Sequence, residues 1–176
     1  MGPFAFFQEM TMKAMFQKNG FQKAALGLGA ALLLSGFASQ ASAITNVAVL
    51  QDSDVQKIVD AAKKSMEQNH TKGCIAVADA DGELLFMQRQ EGAAPDCLES
   101  AEGKVRTAAR FQETTNTFYK MLNQNKLVTV AVPGMAPLPG GEPIRHNGVV
   151  IGAVAVSTPD GDLDLKVVAD ALAAIK

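Results

Sequence analysis

The chain has 176 residues, 48% of them apolar, with 18 acidic and 16 basic side chains and a net charge of −2. That length suits one domain with a core of its own rather than two. Mild acidity gives no footing for nucleic-acid binding, and 19% charged residues among abundant apolar ones exclude a disordered chain.

The first recognisable element is a targeting segment. Lys13, Lys18 and Lys23 stand against Glu9, an apolar run follows over residues 24–34, and Ala41-Ser42-Ala43 closes it. A basic stretch, a short apolar stretch and an Ala-x-Ala end make a secretory signal. The run falls well short of the roughly 20 residues that span a bilayer as a helix. No Cys directly follows it, so no lipid anchor is expected. Residues 1–43 are therefore read as a removed signal peptide and residues 44–176 as a periplasmic or secreted domain. Six of the nine Phe lie before residue 38, which leaves Phe86, Phe111, Phe118 and Tyr119 as the aromatics of that domain. Its net charge is −4.

Within the domain, residues 53–69 read as an amphipathic helix, since Val55, Ile58, Val59, Ala62 and Met66 recur at helical spacing. Ser53 is its expected N-cap. Residues 74–79 form an apolar run expected as a buried strand. Asp81-Gly82 signals a hairpin, and residues 83–88 return as a second strand. Residues 91–97 are a loop. Residues 98–111 are helical, with Ala101, Val105, Ala108 and Ala109 as the apolar stripe. Thr114 or Thr115 caps a further helix.

Residues 127–132 are rich in Val and read as a strand. Residues 133–143 hold four Pro and three Gly, which no helix or central strand tolerates. Asn147-Gly148 is a type I′ turn signal ahead of a strand over 149–157. After a turn at residues 159–161, Asp162 is expected to cap a final helix. The order is α-β-β-α-α-β-β-β-α, an α+β fold with a five-stranded antiparallel sheet and helices packed on it. A domain this small is expected to gain stability from oligomerisation.

Three blocks carry a resemblance. They are residues 75–82 running on to Arg89 and Gly92-Ala93, residues 99–109, and residues 138–144 followed by 148–157 and Asp162-Leu163-Asp164. In this order they resemble the GlcG/HbpS-like family, the haem-degrading or haem-binding domain family, over nearly all of residues 53–175. The resemblance implies a profilin-like αβ sandwich. It also implies ring-like homo-oligomers, often octamers, and association with haem binding or breakdown. The export signal and Glu99-Ser100-Ala101-Glu102 bring the secreted haem-binding members nearest.

Met135 falls in a loop that resembles the haem-contacting loop of those members. Its thioether is a soft iron ligand, or else it packs at a subunit contact. His146 and His70 are the histidines available for haem iron. His146 adjoins a turn and His70 a helix end, so both read more readily as surface residues. Glu99 and Glu102 lie one turn apart and could hold a hard cation, iron by the resemblance, or serve the helix dipole alone. Lys104 and Arg106 could pair with haem propionates, or line a solvated face.

Cys74 and Cys97 are the two cysteines, and an even count in an exported protein favours a disulfide over a Cys74 simply buried at the start of a core strand. Gly140-Gly141 lacks the helix and Lys-Ser/Thr of a phosphate loop. Ser157 and Asp162 have no plausible His partner for a hydrolase triad. The expected function is an exported, oligomeric haem-binding protein that sequesters or senses haem and, more weakly, iron, with a membrane sensor or receptor as partner. A haem-degrading or other small-molecule enzyme is the alternative, as is a ligand-free interaction module. Binding is preferred over catalysis because no flavin or nicotinamide site accompanies it.

Overall fold

The computed structural model describes residues 48–176. The signal-peptide reading of residues 1–43 lies outside them.

Helix α1 (Asp52–Gln68) buries Val55, Ile58, Val59, Ala62 and Met66, the stripe its spacing marks. It starts at Gln51 with no side-chain cap; Asp52 and Asp54 occupy its first turn, where carboxylates favour the helix dipole. Ser53 therefore lies inside the helix instead of capping it. Strand β1 (Cys74–Asp79) is followed by β2 (Leu84–Arg89), joined at the Asp81-Gly82 turn. The Asp79 carboxylate accepts the N–H groups of Asp81 (3.0 Å) and Glu83 (2.9 Å), which holds that turn closed. Helix α2 (Cys97–Phe111) and helix α3 (Thr115–Asn123) follow, and Thr114 caps α3 through its hydroxyl.

The next segment departs from expectation. Residues 127–132 do not form a strand: Val128–Ala131 is one turn of helix, α4. Asn125 bends the chain into the left-handed region (φ 59°), and Val132 is held extended ahead of Pro133. Strand propensity expresses fit to a pleated, half-buried surface. Here Leu127, Val128 and Val130 are exposed, and the segment pairs with no strand of the sheet.

The sheet therefore has four strands among the described residues, not five. Strand β3 (Gly141–His146) turns at Asn147-Gly148 into β4 (Val149–Ser157). Both turn residues have positive φ (50° and 81°), as a type I′ turn requires. The order is β2-β1-β4-β3, antiparallel throughout, and Pro143 sits on the edge strand β3, where a missing N–H is tolerated. Helix α5 (Gly161–Ala173) is capped by Asp160, not Asp162; its carboxylate accepts the N–H groups of Asp162 and Leu163.

Alternate side chains of the central strands face opposite ways. Ile75, Val77, Val154 and Val156 pack under α1 and α5. Cys74, Ala76, Ala78, Ala153 and Ala155 pack under α2. The result is an α+β sandwich with two helices on one sheet face and α2 on the other. The second face is built almost entirely of alanines, which lets α2 lie close to the strands. Cys74 and Cys97 form a disulfide, with Cα atoms 5.4 Å apart, that fastens the first residue of α2 to the first of β1.

Removing this bridge with Cys74→Ala and Cys97→Ala should cost about 3 kcal/mol, the loop-closure value for 23 residues of separation. Urea denaturation checks this, and an unchanged midpoint contradicts it. A second prediction concerns pH. Burial pushes the Glu142 carboxyl above its ordinary 4.5; the hydroxyl of Thr114 opposes the shift and the nearby Glu113 adds to it. The folded state thus holds this proton more tightly than the unfolded chain. The resulting stability is complete below about pH 4.5 and is lost as pH rises through the raised value. Glu142→Gln should melt higher than wild type at neutral pH, with a flatter profile above pH 4.5; a parallel profile would remove Glu142 from the account.

Candidate functional site

Helix α2 presents two faces with different work. Ala101, Val105, Ala108 and Ala109 are fully buried against the alanine face of the sheet. On another stripe, Glu99 is followed three and four residues on by Glu102 and Gly103, then by Arg106 and Arg110, so that they line one side of the helix. Opposite that stripe lies the loop segment Gly134-Met135-Ala136. Between them is an open groove of about 640 Å³.

The groove is graded in charge. Asp96, Glu99 and Glu102 stand near the start of α2, and Arg106 and Arg110 follow one to three turns later. Arg106 Nη1 meets Glu102 Oε1 at 2.9 Å, while its Nε is buried without a hydrogen-bond partner. Arg110 leans toward the β1–β2 turn, donating from Nε to the Asp81 carbonyl (3.0 Å) and from Nη2 to Glu83 (3.3 Å). Gly103 is needed where the walls approach: a Cβ there would stand 3.0 Å from the Ala136 methyl. The walls thus offer a thioether, guanidinium donors and three carboxylates, one of them paired with Arg106, around a narrow, small-residue waist. The guanidinium end of such a groove can take an anionic group, and the thioether and small residues opposite offer an apolar contact.

A family model described as "Haem degrading protein HbpS-like" matches residues 50–173. The chain belongs to the HbpS-like family. Protein GlcG of Escherichia coli K12 is 33% identical over 109 residues, covering 62% of this chain and 81% of GlcG. A double Glu-to-Asp variant of HbpS from Streptomyces reticuli superposes with a TM-score of 0.70 at 26% identity, covering 88% of this chain and 99% of that one. A PduOC–haem complex superposes with a TM-score of 0.68 at 21% identity, covering 73% and 96% of the two chains, and so shares the fold.

In this HbpS-like chain the tertiary structure gathers Met135, Glu99, Glu102 and Arg106 into one groove. It does not bring in His146, which lies exposed beside the Asn147-Gly148 turn, or His70, exposed beyond the end of α1. Glu102 is engaged with Arg106, and no group of three His, Cys, Asp or Glu side chains at metal distance occurs among the described residues. Glu99 and Glu102 therefore supply at most two carboxylates to a cation within one copy of the chain.

Lys104 is placed differently from the expectation. It is 1% exposed, and its ammonium points into the interior, away from any propionate in the groove. It donates to Asp164 Oδ2 at 2.9 Å, to the Pro139 carbonyl at 3.0 Å and to the Val156 carbonyl. Burial pulls the Lys104 ammonium below its ordinary range, and the Asp164 carboxylate opposes that shift. Burial likewise pushes Asp164 up, against the pull of Lys104 and of the Thr158 N–H that bonds its other oxygen at 2.6 Å. The spacing of Ala101, Lys104, Val105 and Ala108 puts Lys104 on the inward stripe, which is the sequence signal for its burial.

Asp164→Asn leaves this ammonium without a counter-charge and should cost about 3–5 kcal/mol. Adding Lys104→Met should recover only part of the loss, because the Pro139 carbonyl remains without its donor. A double variant as stable as wild type in urea would contradict the three-way role of Lys104.

Proposed function

We propose that this chain is an exported, oligomeric haem-binding protein that sequesters or senses haem, with the groove beside α2 as the haem site. The observation that carries the proposal is the convergence of Met135, Arg106, Glu99 and Glu102 on one groove in a chain of the HbpS-like family. The haem complex of PduOC supports it, as a protein of the same fold in haem-bound form.

The residues fit the group. Haem would supply the iron and the redox-active ring, and the chain would supply its placement. Met135 offers a thioether to iron. Arg106, with a buried and unpartnered Nε, and Arg110 offer donors to carboxylates. Gly103 and Ala136 meet at the narrow end of the groove, and Gly134 leaves its side open, with no atom within 4 Å of where its Cβ would stand. Glu99 and Glu102 could hold iron as a second cation, completed by ligands from another copy. The two glutamates changed in the Streptomyces reticuli protein have the same three-residue spacing.

In the same reading, residues 1–43 are removed on export to the periplasm or beyond. The mature chain assembles into a ring, an octamer by the resemblance, and presents a surface to a membrane sensor or receptor. With so few aromatic rings in one copy, part of the haem surface is then covered by a neighbouring copy.

Haem degradation is the second reading, favoured by the description of the family. Release of iron and loss of the haem absorption on adding a reductant distinguish it from binding alone.

Titration with haem should give a saturable Soret band at micromolar concentrations. Met135→Leu, which keeps the volume and removes the thioether, should shift that band and weaken binding about tenfold, equivalent to ~1.4 kcal/mol. Absence of a saturable band in the wild-type protein would end the proposal. An unshifted band in the variant would remove Met135 from the iron.

A further inference from the structure

The loop that carries Met135 is rich in Pro and so is poor in donors of its own. Pro133, Pro137 and Pro139 have no N–H. Two hydrogen bonds join this loop to α2. The Ala136 N–H donates to Thr107 Oγ1 at 2.9 Å, and the Pro139 carbonyl accepts from Lys104 Nζ at 3.0 Å. The two anchors are three residues apart on the helix and three apart on the loop, in opposite directions. On α2 that spacing puts both side chains on one face.

Both anchors are held firmly. Thr107 and Lys104 are each 1% exposed. The Thr107 hydroxyl is oriented by donating to the Gly103 carbonyl at 2.8 Å, so its lone pair is left for Ala136. Lys104 is fixed from behind by Asp164 and the Val156 carbonyl. Beyond Pro139 the loop passes Asp164 so closely that a Cβ on Gly140 would stand 2.5 Å from the Asp164 Cβ. Met135 lies immediately before the Ala136 anchor, so its position across the groove from Arg106 depends on these two contacts.

The geometry points to Lys104 and Thr107 as positioning residues, a two-point clamp that sets the Met135 loop at a fixed distance from α2 and so fixes the width of the groove. As a statement about a haem site this rests on the function proposed above; as a statement about the loop it does not.

The test uses Thr107→Val, which keeps the shape and removes the acceptor, with Thr107→Ser as the conservative rescue. Lys104 variants are avoided because loss of the buried pair could unfold the chain. In ligand-free protein, amide exchange at Ala136 should rise about tenfold or more in Thr107→Val and return toward wild type in Thr107→Ser, with β1 and β4 amides unaffected. Haem affinity should fall about tenfold in Thr107→Val and recover in Thr107→Ser.

Unchanged exchange at Ala136 would overturn the clamp. Faster exchange with wild-type haem affinity would overturn its role in setting the groove. If wild-type protein shows no Soret band, the haem reading fails, and the exchange measurement decides the clamp by itself.

Discussion

The ammonium of Lys104 joins four parts of the chain that are distant in sequence. It is carried by α2, and its three partners lie in the proline-rich loop, at the end of β4 and in the first turn of α5. Burying a charge is costly unless charge and hydrogen bonds are both supplied, and here an opposite charge and two carbonyls supply them. Moving any one of these elements would leave the ammonium with a vacant donor in a place without solvent. The relative placement of α2, the loop and α5 is thereby set by one side chain.

Around this contact the two sheet faces are built for different purposes. The face under α1 and α5 is branched and bulky and provides the larger apolar core. The face under α2 is mostly alanine, so the helix sits low on the strands and the loop can reach over it. Gly103 opens the approach between helix and loop, and the disulfide secures the start of α2, whose N-terminus has no capping side chain. The groove exists because a helix held low on one side meets a loop held fixed on the other.

This arrangement gives an HbpS-like chain a groove whose two walls have separate origins. The charged wall comes from a rigid helix, and its residues keep their spacing because the helix does. The Met135 wall comes from a segment without regular structure, which depends on contacts to hold its shape. A flat ligand placed between them would meet charges of both signs along one wall and a thioether on the other, which is the chemistry the proposed function uses.

Local pattern was enough for much of this. Helical spacing marked the buried stripes of α1 and α2, the apolar runs marked β1 and β4, and Asn147-Gly148 marked a turn whose two residues need positive φ. These features depend on neighbours within a few residues, so the sequence by itself determines them. The ordered motifs of the HbpS-like family were legible for the same reason. The turn at Val128–Ala131 was not, because β-branched residues become a strand only where a sheet edge receives them. Nor was the capping role of Asp160, two residues ahead of an equally suitable Asp162. The three partners of Lys104, the Thr107 anchor and the meeting of Met135 with Glu99, Glu102 and Arg106 were decided by tertiary structure alone. Each depends on a partner some 30 to 60 residues away in the chain, and only packing determines which distant groups satisfy a buried donor.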